Sequence, residues 1–172
     1  MSPQLPPVPL DRPARVLFVC LGNICRSPLA EGLFRHHVAA AGLEAKFFID
    51  SAGTGGWHAG EPPHIASRAV ARRRGKDISD QRARQITARD LDTFDLIAVM
   101  DSQNLRDVQA LTNGRTSTAC LARLLDMAPA DHRRDVPDPY GEPDAAFDDV
   151  YDLLDGSTSS LLETWLAVPA GA

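Results

Sequence analysis

The segment Cys20-Leu21-Gly22-Asn23-Ile24-Cys25-Arg26-Ser27-Pro28 gathers a thiol, an arginine and a serine, with five residues between Cys20 and Arg26. Each part suits the handling of phosphate. Successive backbone N–H groups of Leu21, Gly22, Asn23, Ile24 and Cys25 can converge on one centre and form an anion nest. A helix capped by Ser27 would add further free N–H groups and the positive end of its dipole. Gly22 permits a backbone conformation that a side chain forbids, and Asn23 tolerates the left-handed region and can bond locally. Arg26 offers a planar fork that fits two phosphate oxygens at once. The same field favours the thiolate of Cys20, which is the nucleophilic form, and Ser27 is placed to donate a hydrogen bond to the sulfur. One set of groups can therefore bind a dianion and activate a nucleophile, as in-line attack on a phosphoryl group requires.

Two other readings of these residues exist. Cys20 and Cys25 could be inert thiols buried in a tight turn. They could also share a metal with His36 and His37. Structural zinc needs four ligands at recognisable spacing, and two adjacent residues on a helix point in different directions. No metal and no cofactor is expected.

A thiolate displaces an aryl oxygen more readily when that oxygen receives a proton, so a general acid is expected on a loop facing the nucleophile. Asp138-Pro139-Tyr140 supplies a candidate, stiffened by Pro137 and Pro139. Tyr140 could stack on an aromatic ring. Aspartate before proline is also a common turn residue, and Asp131, Asp135 and Asp144 lie nearby as alternatives. Trp57, in a glycine- and proline-rich loop over 51–63, reads equally as packing or binding.

The elements that must position these groups alternate. Val16-Leu17-Phe18-Val19 is a continuous apolar run, the pattern of a strand buried on both faces. A helix is predicted over 27–41, with Pro28 in its first turn and Gly42 at its end. A second strand follows over 46–50, a helix over 64–74, a short helix from Thr87 through Asp92, and a third strand over 96–100. A helix capped by Asp101 or Ser102 runs to about Leu111. Residues 119–125 are ambiguous and lean toward a fourth strand. A proline-rich loop over 128–143 leads to a terminal helix over 144–167, with Phe147, Val150, Tyr151, Leu154, Leu161, Leu162 and Trp165 as its apolar stripe and Gly156 as a possible bend. This order implies a single α/β domain: a four-stranded parallel sheet with helices on both faces and a phosphate-binding loop after the first strand. Ligands of such sheets bind beyond the carboxyl ends of the strands.

The bulk properties fit. The chain has 172 residues, 44% hydrophobic and 24% charged, with a net charge of −5. That suits one soluble domain. Arg72-Arg73-Arg74 with Lys76 is the nearest thing to a basic run and reads as a solvated helix face, so no nucleic-acid partner is expected. No apolar stretch approaches the roughly 20 residues that span a bilayer, so no membrane partner is expected either. Residues 1–13 are proline-rich, without the pattern of a secretory signal, and are expected to be a disordered leader to a domain over 14–168. Three cysteines make no disulfide framework, which points to a reducing compartment, the cytoplasm.

Val19 to Pro28 closely resembles the signature of the low-molecular-weight protein tyrosine phosphatases, and Asp138-Pro139-Tyr140 resembles their general-acid loop. Further matches are Asp50-Ser51-Ala52-Gly53-Thr54, Ala83-Arg84-Gln85, Phe94-Asp95, Met100-Asp101 and Asn104-Leu105-Arg106, so the resemblance covers about residues 15–166. It implies hydrolysis of phosphotyrosine through a phospho-cysteine. Cys20 would be the nucleophile, Arg26 the phosphate clamp and Asp138 the acid and base. Asn23 and Ser51 would hold the loop's shape, Ser27 would support the thiolate, and Trp57 and Tyr140 would select flat phenolic substrates. Cys25 resembles a second loop cysteine able to form a reversible disulfide with Cys20. Three departures stand out. Gln81 occupies a place where some relatives have a histidine behind the loop. Gly141 follows Tyr140 where many animal members have a second aromatic. Residues 62–67 differ from the usual acidic pattern.

The implied partner is a tyrosine-phosphorylated protein, a bacterial tyrosine kinase of an exopolysaccharide system or a host protein among the candidates. A monomer or weak dimer is expected, and the arginine- and alanine-rich style is bacterial. Rival functions are arsenate reduction, phosphoarginine hydrolysis and phosphotyrosine binding without cleavage. The first needs additional cysteines to pass a disulfide outward; residues 77–91 hold none and Cys120 stands alone.

Overall fold

The computed structural model describes residues 3–170. Four strands, β1 (Ala14–Cys20), β2 (Phe47–Gly53), β3 (Leu96–Val99) and β4 (Cys120–Arg123), form one parallel sheet in the order β2-β1-β3-β4. The helices are α1 (Arg26–Ala40), α2 (Ile65–Arg73), α3 (Asp90–Thr93), α4 (Ser102–Ala110), α5 (Leu124–Met127) and α6 (Asp144–Leu166). The predicted α/β class, strand number and parallel sense all hold.

Alternation along β1 divides the core. Val16 and Phe18 pack with Leu29, Leu33 and Phe34 of α1 and with α6, whereas Leu17 and Val19 pack with Leu91 and Val108 on the other face. Every residue of the predicted α6 stripe is buried. Gly156 does not interrupt that helix. It lets Ala130 approach, whose Cβ would lie 3.4 Å from an added methyl group.

Several local expectations need correction. Helix α1 begins at Arg26, so Ser27 is not its cap and turns its hydroxyl inward instead. Helix α3 begins at Asp90 and not at Thr87, and Asp90 Oδ2 accepts from the Thr87 N–H and hydroxyl at 2.8 and 3.2 Å. Residues 119–125 split into β4 and the start of α5.

The leader is also not as expected. Met1 and Ser2 lie outside the described residues. The rest has no regular secondary structure but lies against the domain. Leu5 is buried, and the Pro6 carbonyl accepts from Trp165 Nε1 at 2.8 Å. Trp165 is wholly buried at the end of an aromatic row through Phe47, Phe34 and Phe18. Its N–H needs an acceptor there, and the leader supplies it. Arg12 adds a two-pronged ion pair to Asp95, at 2.8 and 2.6 Å.

Candidate active site

The order β2-β1-β3-β4 reverses direction beside β1, and the loop after β1 sits at that switch point, where open parallel sheets bind ligands. Its backbone polarity is sorted. The carbonyls of Cys20, Leu21 and Ile24 accept from the N–H groups of Thr54, Gly55 and His64 at 2.9, 2.9 and 2.7 Å. Among the described residues, no hydrogen bond takes up the N–H groups of residues 21–25. Carbonyls bonded outward and amides left free are the makings of an anion nest.

The conformation that does this is carried by Asn23, at φ +56°, and not by Gly22, whose φ is ordinary. Gly22 is needed for space: an added Cβ would come 3.1 Å from the His58 ring. Gly53, at the end of β2, is tighter still, since its Cβ would meet Leu21 O at 2.7 Å.

Behind the loop runs a directed chain of hydrogen bonds. Asn23 Nδ2 donates to Ser27 Oγ at 2.8 Å and to Ser51 Oγ at 3.0 Å, and Asn23 Oδ1 accepts from Arg84 N at 3.0 Å. Ser27 Oγ also lies 3.0 Å from Cys20 Sγ and 3.4 Å from Ala52 O, so its hydroxyl can donate to the sulfur when that is a thiolate. Ser51 passes its proton to Glu31 Oε1 at 2.9 Å. Glu31 is buried on α1 with Arg35 Nε against its other oxygen. Burial pushes its carboxyl above the ordinary range against the pull of Arg35 and Ser51. Glu31 was missed in the sequence. The signal would have been an acidic residue on the inward face of α1. Gln81 does not join the chain; its amide donates to Pro28 O at 3.0 Å.

Arg26 is 2% exposed. Its Nη1 donates to Asp101 Oδ2 at 2.7 Å and to Val136 O at 3.0 Å, and its Nη2 stands 3.5 Å from Asp138 Oδ2. Burial would lower the guanidinium's pKa, but Cys20, Asp101 and Asp138 carry it above its ordinary value. Burial first, then the charges of Cys20 and Asp138, push the Cys25 thiol up to about 12. Both thiols are free.

These groups line one cavity of about 180 Å³, with Cys20, Cys25 and Arg26 inside it. Leu21 and Ile24 wall it, and Trp57, His58, Asp138 and Tyr140 edge it. Trp57 and Tyr140 are 72% and 59% exposed at the rim; the Trp57 indole lies against Gly55, and Tyr140 meets the His64 ring edge-on at 5.7 Å. His58 was not anticipated; its Nδ1 lies 2.8 Å from Glu61 Oε2. Of the four candidate aspartates only Asp138 lines this cavity. Asp131 is held by Arg133, Asp135 by Ser102 and Arg123, and Asp144 opens α6. A larger cleft of about 620 Å³ lies on the far side of Glu31, walled by charges of both signs and without a thiol. Among the described residues no cluster of histidine, cysteine or carboxylate side chains is arranged to hold a metal.

A parallel α/β sheet with a cysteine at the end of β1 and a buried arginine at the start of α1 defines the class, and comparison with known proteins gives the family. Residues 15–167 match the family described as low molecular weight phosphotyrosine protein phosphatase, and the chain belongs to it. It is 45% identical over 147 residues to the low molecular weight protein-tyrosine-phosphatase YfkJ of Bacillus subtilis, covering 86% of this chain and 92% of that one. The crystal structure of YfkJ superposes with a TM-score of 0.84, covering 91% of this chain and 96% of that one. The human low molecular weight phosphotyrosine protein phosphatase is 40% identical over 136 residues, 79% of this chain and 85% of that protein. A Drosophila arginine phosphatase, DARP, is 27% identical with a TM-score of 0.83, covering 90% of this chain and 99% of that one.

Proposed function

We propose that this chain is a protein-tyrosine phosphatase that hydrolyses phosphotyrosine through a phospho-cysteine on Cys20. The observation that carries this reading is the meeting of Cys20, Arg26 and Asp138 in one cavity, with Ser27 Oγ 3.0 Å from the sulfur. The phosphoryl group seats against the free N–H groups of residues 21–25 and the guanidinium of Arg26. The Cys20 thiolate attacks phosphorus in line. The S–P bond forms as the P–O bond to the aryl group breaks, and Asp138 gives that oxygen its proton. In the second step Asp138 takes a proton from water as the water attacks phosphorus. The S–P bond breaks, and the thiolate returns to the hydrogen bond of Ser27. Asn23 and Ser51 keep Ser27 aimed. Trp57 and Tyr140 flank a flat ring, and the left-handed Gly141 leaves the side beyond Tyr140 open. No step calls for a metal.

The natural substrate in this reading is a tyrosine-phosphorylated protein of a bacterial cytoplasm, a tyrosine kinase among the candidates, met by a monomer or weak dimer. The domain runs over 14–168. A second reading, phosphoarginine hydrolysis, is favoured by the likeness to DARP; the two rim aromatics favour the aryl ester. Para-nitrophenyl phosphate turned over in chelator at about pH 6 tests the reading, since the mechanism needs a thiolate and a protonated acid together. Cys20→Ser should be inactive and Asp138→Ala slowed by roughly a hundredfold or more. A strict metal requirement, or full activity in Cys20→Ser, contradicts the mechanism. A kcat/KM higher for phosphoarginine than for phosphotyrosine would select the second reading.

A further inference from the structure

Asp138 has little of its own to hold it. One carboxylate oxygen accepts from Tyr140 N, two residues away, at 3.1 Å, and the other stands 3.5 Å from Arg26. Three residues earlier, Asp135 is tethered to the fold. Its Oδ1 accepts from Ser102 N at 3.1 Å, from Ser102 Oγ at 2.9 Å and from Arg123 Nη1 at 3.0 Å. The same Arg123 nitrogen donates to Ser102 Oγ at 2.7 Å, which joins the three residues in a ring. Arg123 is itself fixed, because its Nε and Nη2 grip both oxygens of Asp126 at 2.8 and 3.1 Å. The next residue, Val136, donates its N–H to Met100 O at 2.8 Å and offers its carbonyl to Arg26.

The loop is thus pinned at two consecutive residues to the junction of β3 and α4. Ser102 is the first residue of α4, and the cap of that helix, Asp101, is the carboxylate that pairs with Arg26. One helix start therefore holds the arginine of the cavity through Asp101 and the acid loop through Asp135. A negative charge is favoured there by the free N–H groups and the dipole. From Val136 the chain reaches Asp138 through Pro137, and Pro139 restricts Asp138 in turn.

We infer that Asp135, clamped by Ser102 and Arg123, is a positioning residue that sets where Asp138 stands over the leaving group. The inference rests on the reading of Asp138 as the general acid. A misplaced acid harms a substrate in proportion to its need for a proton. Phenyl phosphate, with a basic leaving group, needs it most, and para-nitrophenyl phosphate needs it less.

The test is kcat/KM for both esters in the parent, Asp135→Ala, Arg123→Met, Asp138→Ala and the Asp135→Ala/Asp138→Ala double variant. Asp135→Ala should slow phenyl phosphate by on the order of tenfold to a hundredfold, slow para-nitrophenyl phosphate much less, and cost nothing further in the Asp138→Ala background. Arg123→Met should follow the same pattern more weakly. It also carries both comparisons if Asp135→Ala is too unstable to purify. Equal losses on the two esters, or losses that multiply with those of Asp138→Ala, would overturn the inference and leave Asp135 a stabilising contact only. If Asp138→Ala itself has no preference between the esters, the acid assignment falls, and the inference with it.

Discussion

The Cys20 loop and the Asp138 loop face each other across one cavity but are held by different means. Six of residues 20–27 are buried, Leu21 and Gly22 being the exceptions, and the loop is fixed from behind by the relay through Asn23, Ser51 and Glu31. The Asp138 loop, residues 128–143, has no regular structure over most of its length and exposes Tyr140, and side chains grip it at a distance from Asp138. A site that must organise an anion needs rigid donors, since preorganised dipoles cost nothing to reorient during reaction. A site that must admit a protein-borne ring and release a product can be looser, provided that its acid returns to one place.

The first way to sharpen that comparison is Arg26→Lys. A point charge cannot replace the planar fork, and the new ammonium would leave Asp101 and Val136 O imperfectly paired. Turnover should fall by about a hundredfold to a thousandfold, the usual cost of losing a transition-state donor, with para-nitrophenyl phosphate kinetics as the check. Asn23→Ala comes next. It strands Arg84 N, Ser27 and Ser51 and forces alanine to φ +56°. The expected loss is roughly 2–4 kcal/mol of stability by urea unfolding, together with a slower rate. A fully stable Asn23→Ala enzyme would mean that the loop is held by something other than the relay.

Glu31 gives a pH signature. Its carboxyl is raised in the folded protein, mainly by burial. A raised carboxyl contributes stability that is present below its unfolded pKa and is lost as pH climbs through the folded value. Relative to Glu31→Gln, the parent should therefore lose stability as pH rises above about 4, the unfolded glutamate value. Urea midpoints for the two proteins would show it, and a difference that does not change with pH contradicts the burial argument. The smallest effect belongs to the rim. Trp57→Ala should change stability by under about 0.5 kcal/mol, as surface substitutions do, and raise KM for phosphotyrosine peptides several-fold with kcat little altered.

What could be read from the sequence follows the same division. The arrangement of the Cys20 loop was legible because its parts are consecutive. Cys20, Arg26 and Ser27 fall where expected, although Ser27 serves the sulfur and not the helix start. Glu31 and the pairing of Arg26 with Asp101 were not legible, because each depends on how α1 and α4 meet the sheet. Asp138 needed the family to separate it from Asp131, Asp135 and Asp144; in space the cavity separates them. The leader was misread because composition alone cannot show that the indole of Trp165, 159 residues from Pro6, lacks an acceptor.

The central claim is the covalent intermediate, and it can be caught. Acid quench during turnover of para-nitrophenyl phosphate, followed by digestion and mass spectrometry, should find one phosphoryl group on the peptide that holds both loop cysteines, and fragmentation should assign it to Cys20. Steady turnover with no protein-bound phosphoryl group, or a phosphoryl group on Cys25, would contradict the account.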